Sequence, residues 1–310
     1  MAKIGYLQVT RNCNQECIIC SNPANNRTLG LQKAKQAIDE LKTQKYGQVI
    51  LTGGEPTLYD ELPQLIKYCL KKKIFPRVIT NGQRTSNFRY LRALKKAGLR
   101  HLHLSVYSCQ DKIQARISRN KTSLVNIKKS LANLQKIGGI TTDINITINR
   151  YNANHLSKIV SWLINDYHFI GHFVFNNLDP LIGRAAANYQ VIPRLNDFEL
   201  ELHQALKMLE KNKKTFRVGR APLCYLTEFE HVCTETRKII KNESRLVYFL
   251  DKRGKFIQEN WVYGKAECCQ VCFLNDICAG LYQMDKYYSA TELYPVFVSK
   301  EKIIQKVLNN

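Results

Sequence analysis

Between Ile4 and about Asn177 the chain alternates short β-branched runs with segments of helical period, and no other feature narrows its fold as much. Strand-then-helix repetition builds a parallel sheet with helices along its outer face. Ile4–Val9, Gln48–Thr52, Pro76–Thr80, Arg100–Tyr107, Thr141–Asn149 and Phe169–Asn176 read as the strands. Leu31–Leu41 sets Leu31, Ala34, Ile38 and Leu41 on one helical face, and Leu124–Ile137 does the same with Leu124, Ile127, Leu131 and Leu134. Six such units predict an α/β fold of partial-barrel type, a (β/α)6 arrangement short of the eight units of a complete TIM barrel.

Beyond Asn177 the pattern changes. Pro180, Gly183 and Pro193 mark a loop, Asp197–Lys211 reads as a helix capped near Asn196, and Leu246–Leu250 with Lys255–Gln258 reads as a hairpin around Asp251–Gly254. The expected division is a barrel core over residues 1–195 and a small cysteine-rich region over 196–310. Three strands carry polar faces: His101, His103, Ser105 and Tyr107; Asp143, Asn145, Thr147 and Asn149; His172 and Asn176. A self-filled barrel is plugged with branched apolar side chains, so these faces predict a polar ligand in the lumen.

No apolar segment of the chain is long enough to span a bilayer, and Met1–Ala2–Lys3 runs straight into the first strand without a signal-peptide pattern, so a cytoplasmic location is expected. Eleven cysteines in such a compartment point to metal binding rather than a disulfide framework. The formal net charge of +22 suits an anionic partner such as RNA, although Lys71–Lys73 and Lys211–Lys214 also read as solvated helix ends.

Cys13, Cys17 and Cys20 lie in a loop directly after the first strand, so three thiolates meet at the mouth of the barrel. Three cysteines suit an iron–sulfur cubane with one iron left open to an outside ligand, whereas closed zinc sites want a fourth ligand that the local sequence lacks. The C-x3-C-x2-C spacing, followed by Gly53-Gly54-Glu55-Pro56-Thr57 after strand two and Thr80-Asn81-Gly82 after strand three, resembles the radical S-adenosylmethionine (SAM) superfamily over about Ile4–Ala187. The resemblance implies that Cys13, Cys17 and Cys20 ligate a [4Fe–4S] cluster whose open iron binds the amino and carboxylate groups of SAM. The cluster then donates an electron, the C5′–S bond breaks, and the resulting 5′-deoxyadenosyl radical takes a hydrogen atom from substrate. It further implies that Gly53 and Gly54 let the backbone approach the methionyl ammonium and that Glu55 offsets its charge. Pro56 and Asn81 belong to the same motifs, and Ser105, Asn145 and Thr147 are the inward residues placed for ribose or carboxylate contacts. Ile19 replaces the aromatic residue often found before the third cysteine. A reductant such as flavodoxin or ferredoxin is implied as a partner.

Cys269, Cys272 and Cys278, with Cys268 beside them and Cys224 and Cys233 upstream, supply enough thiolates for a second metal centre. The run resembles the C-terminal SPASM/twitch extension of radical SAM enzymes, which implies an auxiliary [4Fe–4S] cluster. A full SPASM domain has a further cysteine where this chain has Tyr282, so one auxiliary cluster is expected, with Cys224 as fourth ligand ahead of Cys268 and Cys233. Four thiolates with a C-x2-C knuckle also satisfy zinc, which stays as the alternative. Cys69 shares an apolar helix face with Leu62, Leu65 and Ile66 and reads as a core thiol, and Cys109 reads as a loop cysteine.

Such an extension usually accompanies peptide or protein modification in the resembling family, which makes a peptide the expected substrate. Because the barrel begins at Ile4, leader binding is expected to need a separate protein. Modification of an RNA nucleoside or a small molecule is the alternative that the charge suggests. A non-catalytic iron–sulfur or zinc protein that binds nucleic acid is a third, and it leaves the Gly-Gly-Glu-Pro loop unexplained.

Overall fold

A computed structural model of the chain describes residues 3–281 and 287–309. One nine-stranded sheet organises it, in the order β7-β6-β5-β4-β3-β2-β1-β8-β9. The strands are β1 (Lys3–Thr10), β2 (Tyr46–Gly53), β3 (Phe75–Thr80), β4 (His101–Ser105), β5 (Thr141–Ile148), β6 (His172–Asn177), β7 (Thr215–Gly219), β8 (Arg245–Tyr248) and β9 (Lys255–Gln258). All neighbours run parallel except β8 and β9, which form the antiparallel hairpin read from the sequence. No pairing joins β7 to β9 among the described residues, so the barrel stays open.

Among the described residues ten α-helices accompany the sheet: α1 (Leu31–Thr43), α2 (Leu62–Lys71), α3 (Phe88–Lys96), α4 (Asp111–Ser118), α5 (Ser123–Ile137), α6 (Leu156–Asp166), the single turn α7 (Gly183–Ala186), α8 (Leu195–Lys211), α9 (Thr234–Lys241) and α10 (Lys300–Leu308). Their apolar faces make the core as the 3.6-residue period requires. Ala34, Ile38 and Leu41 of α1, and Ile127 and Leu131 of α5, are buried against the strands, and Cys69 sits in this core as a fully buried thiol.

Two expectations change. The parallel run does not end at the sixth strand, because Thr215–Gly219 adds β7 beside β6 in register with His172–Asn176. Phe216 and Val218 are its only apolar pair, and the lysines before it mask the alternation. The sheet therefore crosses the expected 195/196 division, with α8, β7 and the β8–β9 hairpin all beyond it. α8 is capped at Arg194 rather than Asn196: Asp197 Oδ2 accepts the Arg194 N–H at 2.8 Å. Tyr282, where a further cysteine was looked for, lies outside the described residues. Among the described residues no helix is long and apolar enough to cross a membrane.

Candidate active site

Parallel strands present their C-terminal ends together, and in open α/β folds that rim is where ligands bind. The loop after β1 carries Cys13, Cys17 and Cys20 across this rim, and its backbone is tied down on three sides. Ile18 N–H donates to the Ile117 carbonyl of α4 at 2.9 Å, Gly54 N–H to Thr10 O at 2.7 Å, and Glu55 N–H to Asn12 O at 2.8 Å. Arg184, in the turn after β6, donates its N–H to Cys20 O at 2.9 Å and its Nη1 to Cys17 O at 3.3 Å.

Glycine is required at three of these contacts. Gly53 has φ of 147°, and a Cβ there would overlap Thr10 O, just as one on Gly54 would overlap the Asn12 carbonyl. The β2 loop can lie against the cysteine loop only without side chains at these positions. Gly183, with φ of 64°, meets Cys20 O in the same way.

The three cysteines share one cavity with Gly53, Gly54, Asn81, Ser105 and Thr147, so the structure brings these five expected binding residues to the thiols. Ile19 also lines it, as an aliphatic wall. Asn81 Nδ2 donates to Asn14 Oδ1 at 2.8 Å and approaches Cys13 Sγ at 3.9 Å. Pro56 and Asn145 stand outside the lining.

Glu55 departs from its expected role. Its side chain is buried and does not face the cavity. Oε1 accepts from Thr57 N at 3.0 Å, Thr57 Oγ1 at 2.6 Å and Thr80 Oγ1 at 2.7 Å, while Oε2 accepts from Asn81 N at 2.7 Å. These donors all come from the protein, so the carboxylate holds the loop after β2 against the end of β3 behind the cavity wall.

Sequence reasoning passed over two residues. Tyr107 lines the cavity beside Cys17, and it had been read only as one position on a polar strand face. Arg184 is a cation beside the thiols, as is Arg11 at Cys20, and the signal that marks Arg184 is an arginine following a glycine at a strand's C-terminal loop.

Burial pushes the Cys13 thiol up to about 11 and Cys17 up to about 12, with Cys20 raised for the same reason. The Arg184 charge opposes this at Cys13 and Cys20. As free thiols they are protonated, and metal binding must release those protons. A soft, all-sulfur set with three members and no histidine or carboxylate lining the same cavity fits an iron–sulfur cubane with one open iron.

A second cavity is lined by Cys224, Cys269, Cys272 and Cys278, together with Leu223 and Tyr294. Backbone amides point at its sulfurs: Gly280 N–H and Leu223 N–H reach Cys278 Sγ at 3.3 and 3.5 Å, and Val296 N–H reaches Cys272 Sγ at 3.3 Å. Amide donors of this kind stabilise thiolates and set cluster potentials. Cys268 instead faces the Leu293 carbonyl at 3.5 Å, and Cys233 is buried against Ala221 O. Cys109 is half-buried and lines neither cavity.

The fold is shared with solved enzymes. The chain superposes on anSMEcpe with bound AdoMet and Kp18Cys peptide with a TM-score of 0.67 at 14% identity, covering 99% of this chain and 96% of that one. For Streptococcus suis SuiB bound to S-adenosylmethionine the TM-score is 0.65 at 16% identity, covering 96% of this chain and 76% of that one. In sequence, PqqA peptide cyclase of Granulibacter bethesdensis is 26% identical over 157 residues, 49% of this chain and 41% of that protein. A 7,8-dihydro-6-hydroxymethylpterin dimethyltransferase of Methanocaldococcus jannaschii is 29% identical over 142 residues, 44% of this chain and 28% of that protein. The chain thus covers less than half the length of either curated relative. The family model of the Radical SAM superfamily matches residues 7–163, the span that holds β1 to β5, the cysteine loop and the glycine loop packed against it, and the chain belongs to that superfamily of enzymes.

Proposed function

We propose that this radical SAM enzyme modifies a peptide or protein, with Cys13, Cys17 and Cys20 holding the [4Fe–4S] cluster and Cys224, Cys269, Cys272 and Cys278 holding one auxiliary [4Fe–4S] cluster. The observation that carries the reading is the second four-cysteine cavity, with amides aimed at its sulfurs, in the same chain as the three-cysteine cavity. It is supported by the peptides named with the similar proteins: a PqqA peptide cyclase in sequence, SuiB bound to precursor peptide SuiA and anSMEcpe with Kp18Cys peptide in fold.

When bound, the cluster and SAM supply a 5′-deoxyadenosyl radical that abstracts hydrogen from substrate. The chain's own residues do the positioning. Gly53 and Gly54 offer backbone without side-chain bulk to the methionyl end, Asn81, Ser105 and Thr147 offer polar contacts, and Arg184 places a positive charge beside the thiolates. Glu55 and Pro56 shape the loop from behind, and Asn145 supports the strand through its carbonyl, which accepts the Val106 N–H at 3.0 Å. The functional division follows this chemistry: residues 1–195 carry the radical machinery and 196–310 the auxiliary cysteines, although the sheet runs through both.

The test uses anaerobically reconstituted protein with dithionite, SAM and the deuterated products of short reading frames beside its gene. The expected result is 5′-deoxyadenosine carrying deuterium from the peptide, and none from the triple Ala variant of Cys13, Cys17 and Cys20. Deuterium taken from labelled tRNA and not from peptide would replace this reading with nucleoside modification, which the +22 charge favours.

A further inference from the structure

At the N-terminal ends of the strands a second set of donors converges that the cysteine cavity does not use. His101 and His103 stand on β4 and Asp143 on β5, with His103 and Asp143 as register partners. They share the inward face with Ser105 and Thr147, which line the cysteine cavity. His103 and Ser105 are two residues apart, and His101 and Ser105 four, so the set lies roughly 7–13 Å deeper in the lumen.

His101 Nε2 is 2.8 Å from Asp143 Oδ2, and His103 Nδ1 is 3.2 Å from the same oxygen. The two imidazoles stack with centroids 4.8 Å apart and planes at 14°. One donor atom from each of the three residues falls within 4.8 Å of the others. Ligands at about 2.0–2.1 Å from a tetrahedral ion stand roughly 3.3 Å apart, so the set must contract, and one of the stacked rings must turn about its Cβ–Cγ bond so that both nitrogen lone pairs converge on the ion.

A buried nitrogen is also unpartnered: His103 is 6% exposed, and its Nε2, on the side of the ring opposite the Nδ1 that faces Asp143, has no hydrogen-bond partner among the described residues. Arg77 of β3 and Arg217 of β7 border the set and disfavour a hard cation held by charge alone. Imidazole nitrogens favour ions of the zinc type over magnesium or calcium.

We propose that His101, His103 and Asp143 form a mononuclear site for a divalent first-row ion of the zinc type at the floor of the barrel, separate from both cysteine sets. Such an ion ties β4 to β5 beneath the cofactor cavity and satisfies donors that otherwise crowd a single carboxylate oxygen.

Iron-loaded protein is equilibrated with zinc sulfate and desalted, then its metals are counted and its zinc K-edge absorption is recorded. The expected result is about one zinc per chain beyond the iron, with nitrogen and oxygen neighbours alone at about 2.0–2.1 Å. Asp143→Asn and His103→Gln are expected to weaken zinc binding at least tenfold while keeping the wild-type iron content. Failure to retain zinc, sulfur neighbours at about 2.3 Å, or undiminished zinc in both variants overturns the site. If the variants fail to load iron, the wild-type zinc count and spectrum decide alone.

Discussion

Glu55 is held by contacts that its own motif does not reveal. The Gly-Gly-Glu-Pro run marks the site, but the carboxylate spends its acceptor capacity on Thr57, Thr80 and Asn81. In Glu55→Gln an amide NH2 replaces one acceptor, so either the Asn81 N–H or the donors on the other oxygen lose their partner. Leaving a buried donor unpaired costs about 1–3 kcal/mol. The iron-free variant should therefore unfold at lower urea than wild type and take up less iron at the cysteine loop. Equal midpoints and equal iron uptake would show that the clamp is dispensable. The cysteine spacing and the paired glycines were legible because each leaves a mark in one short stretch. The clamp was not, since it depends on Thr80 and Asn81 arriving from another strand, and neither was Arg184, whose partners Cys17 and Cys20 lie far away in sequence.

Strands with five or more inward and outward positions of matching character could be read from period alone, and β1 to β6 lie within a few residues of their expected places. β7 offered two apolar positions between basic neighbours, too few to establish alternation. The helices after it make a small layer of their own, where Ile303 and Val307 of α10 are buried near α9 and the turn Glu230–Val232. His231 sits in that turn with its Nδ1 buried and unpartnered among the described residues. Burial first, then the Lys306, Arg217 and Arg237 charges, push it down to about 4. An unfolded histidine titrates near about 6.5, so below that pH the unfolded chain binds a proton that the native one refuses until about 4. Native stability should fall as pH drops through this window. Urea unfolding at pH 7 and pH 5 should show a smaller loss for His231→Gln than for wild type, with His172 and other buried histidines supplying the remainder. Identical losses in the two proteins would place the titration elsewhere.

At the scale of the molecule, one sheet carries both thiol sites that the sequence singles out. Ties from the hairpin bind the late part of the chain to the loop after β1 and to α1: Arg11 pairs with Asp251 at 2.8 Å, and Tyr248 donates to Glu40 at 2.6 Å. The cysteine loop and the C-terminal region are thus held by one framework, and the stoichiometry of iron tests whether both sites are clusters. Cys224 joins Cys269, Cys272 and Cys278 in lining one cavity, and Cys268 and Cys233 stand outside that lining. On the proposed reading the four thiolates hold one cubane and the three at the barrel mouth hold the other. Wild-type protein should therefore carry about eight irons per chain, and the triple Ala variant of Cys13, Cys17 and Cys20 about four. Cys224→Ala should lower the auxiliary iron and leave the radical cluster loaded, read as a retained signal from the SAM-bound cluster in electron paramagnetic resonance. Zinc in place of the second set of irons would keep the four-cysteine site and remove its redox role. About twelve irons in the wild type would require a third ligand set, for which Cys233, Cys268 and Cys109 are the thiols outside both cavities apart from the buried Cys69.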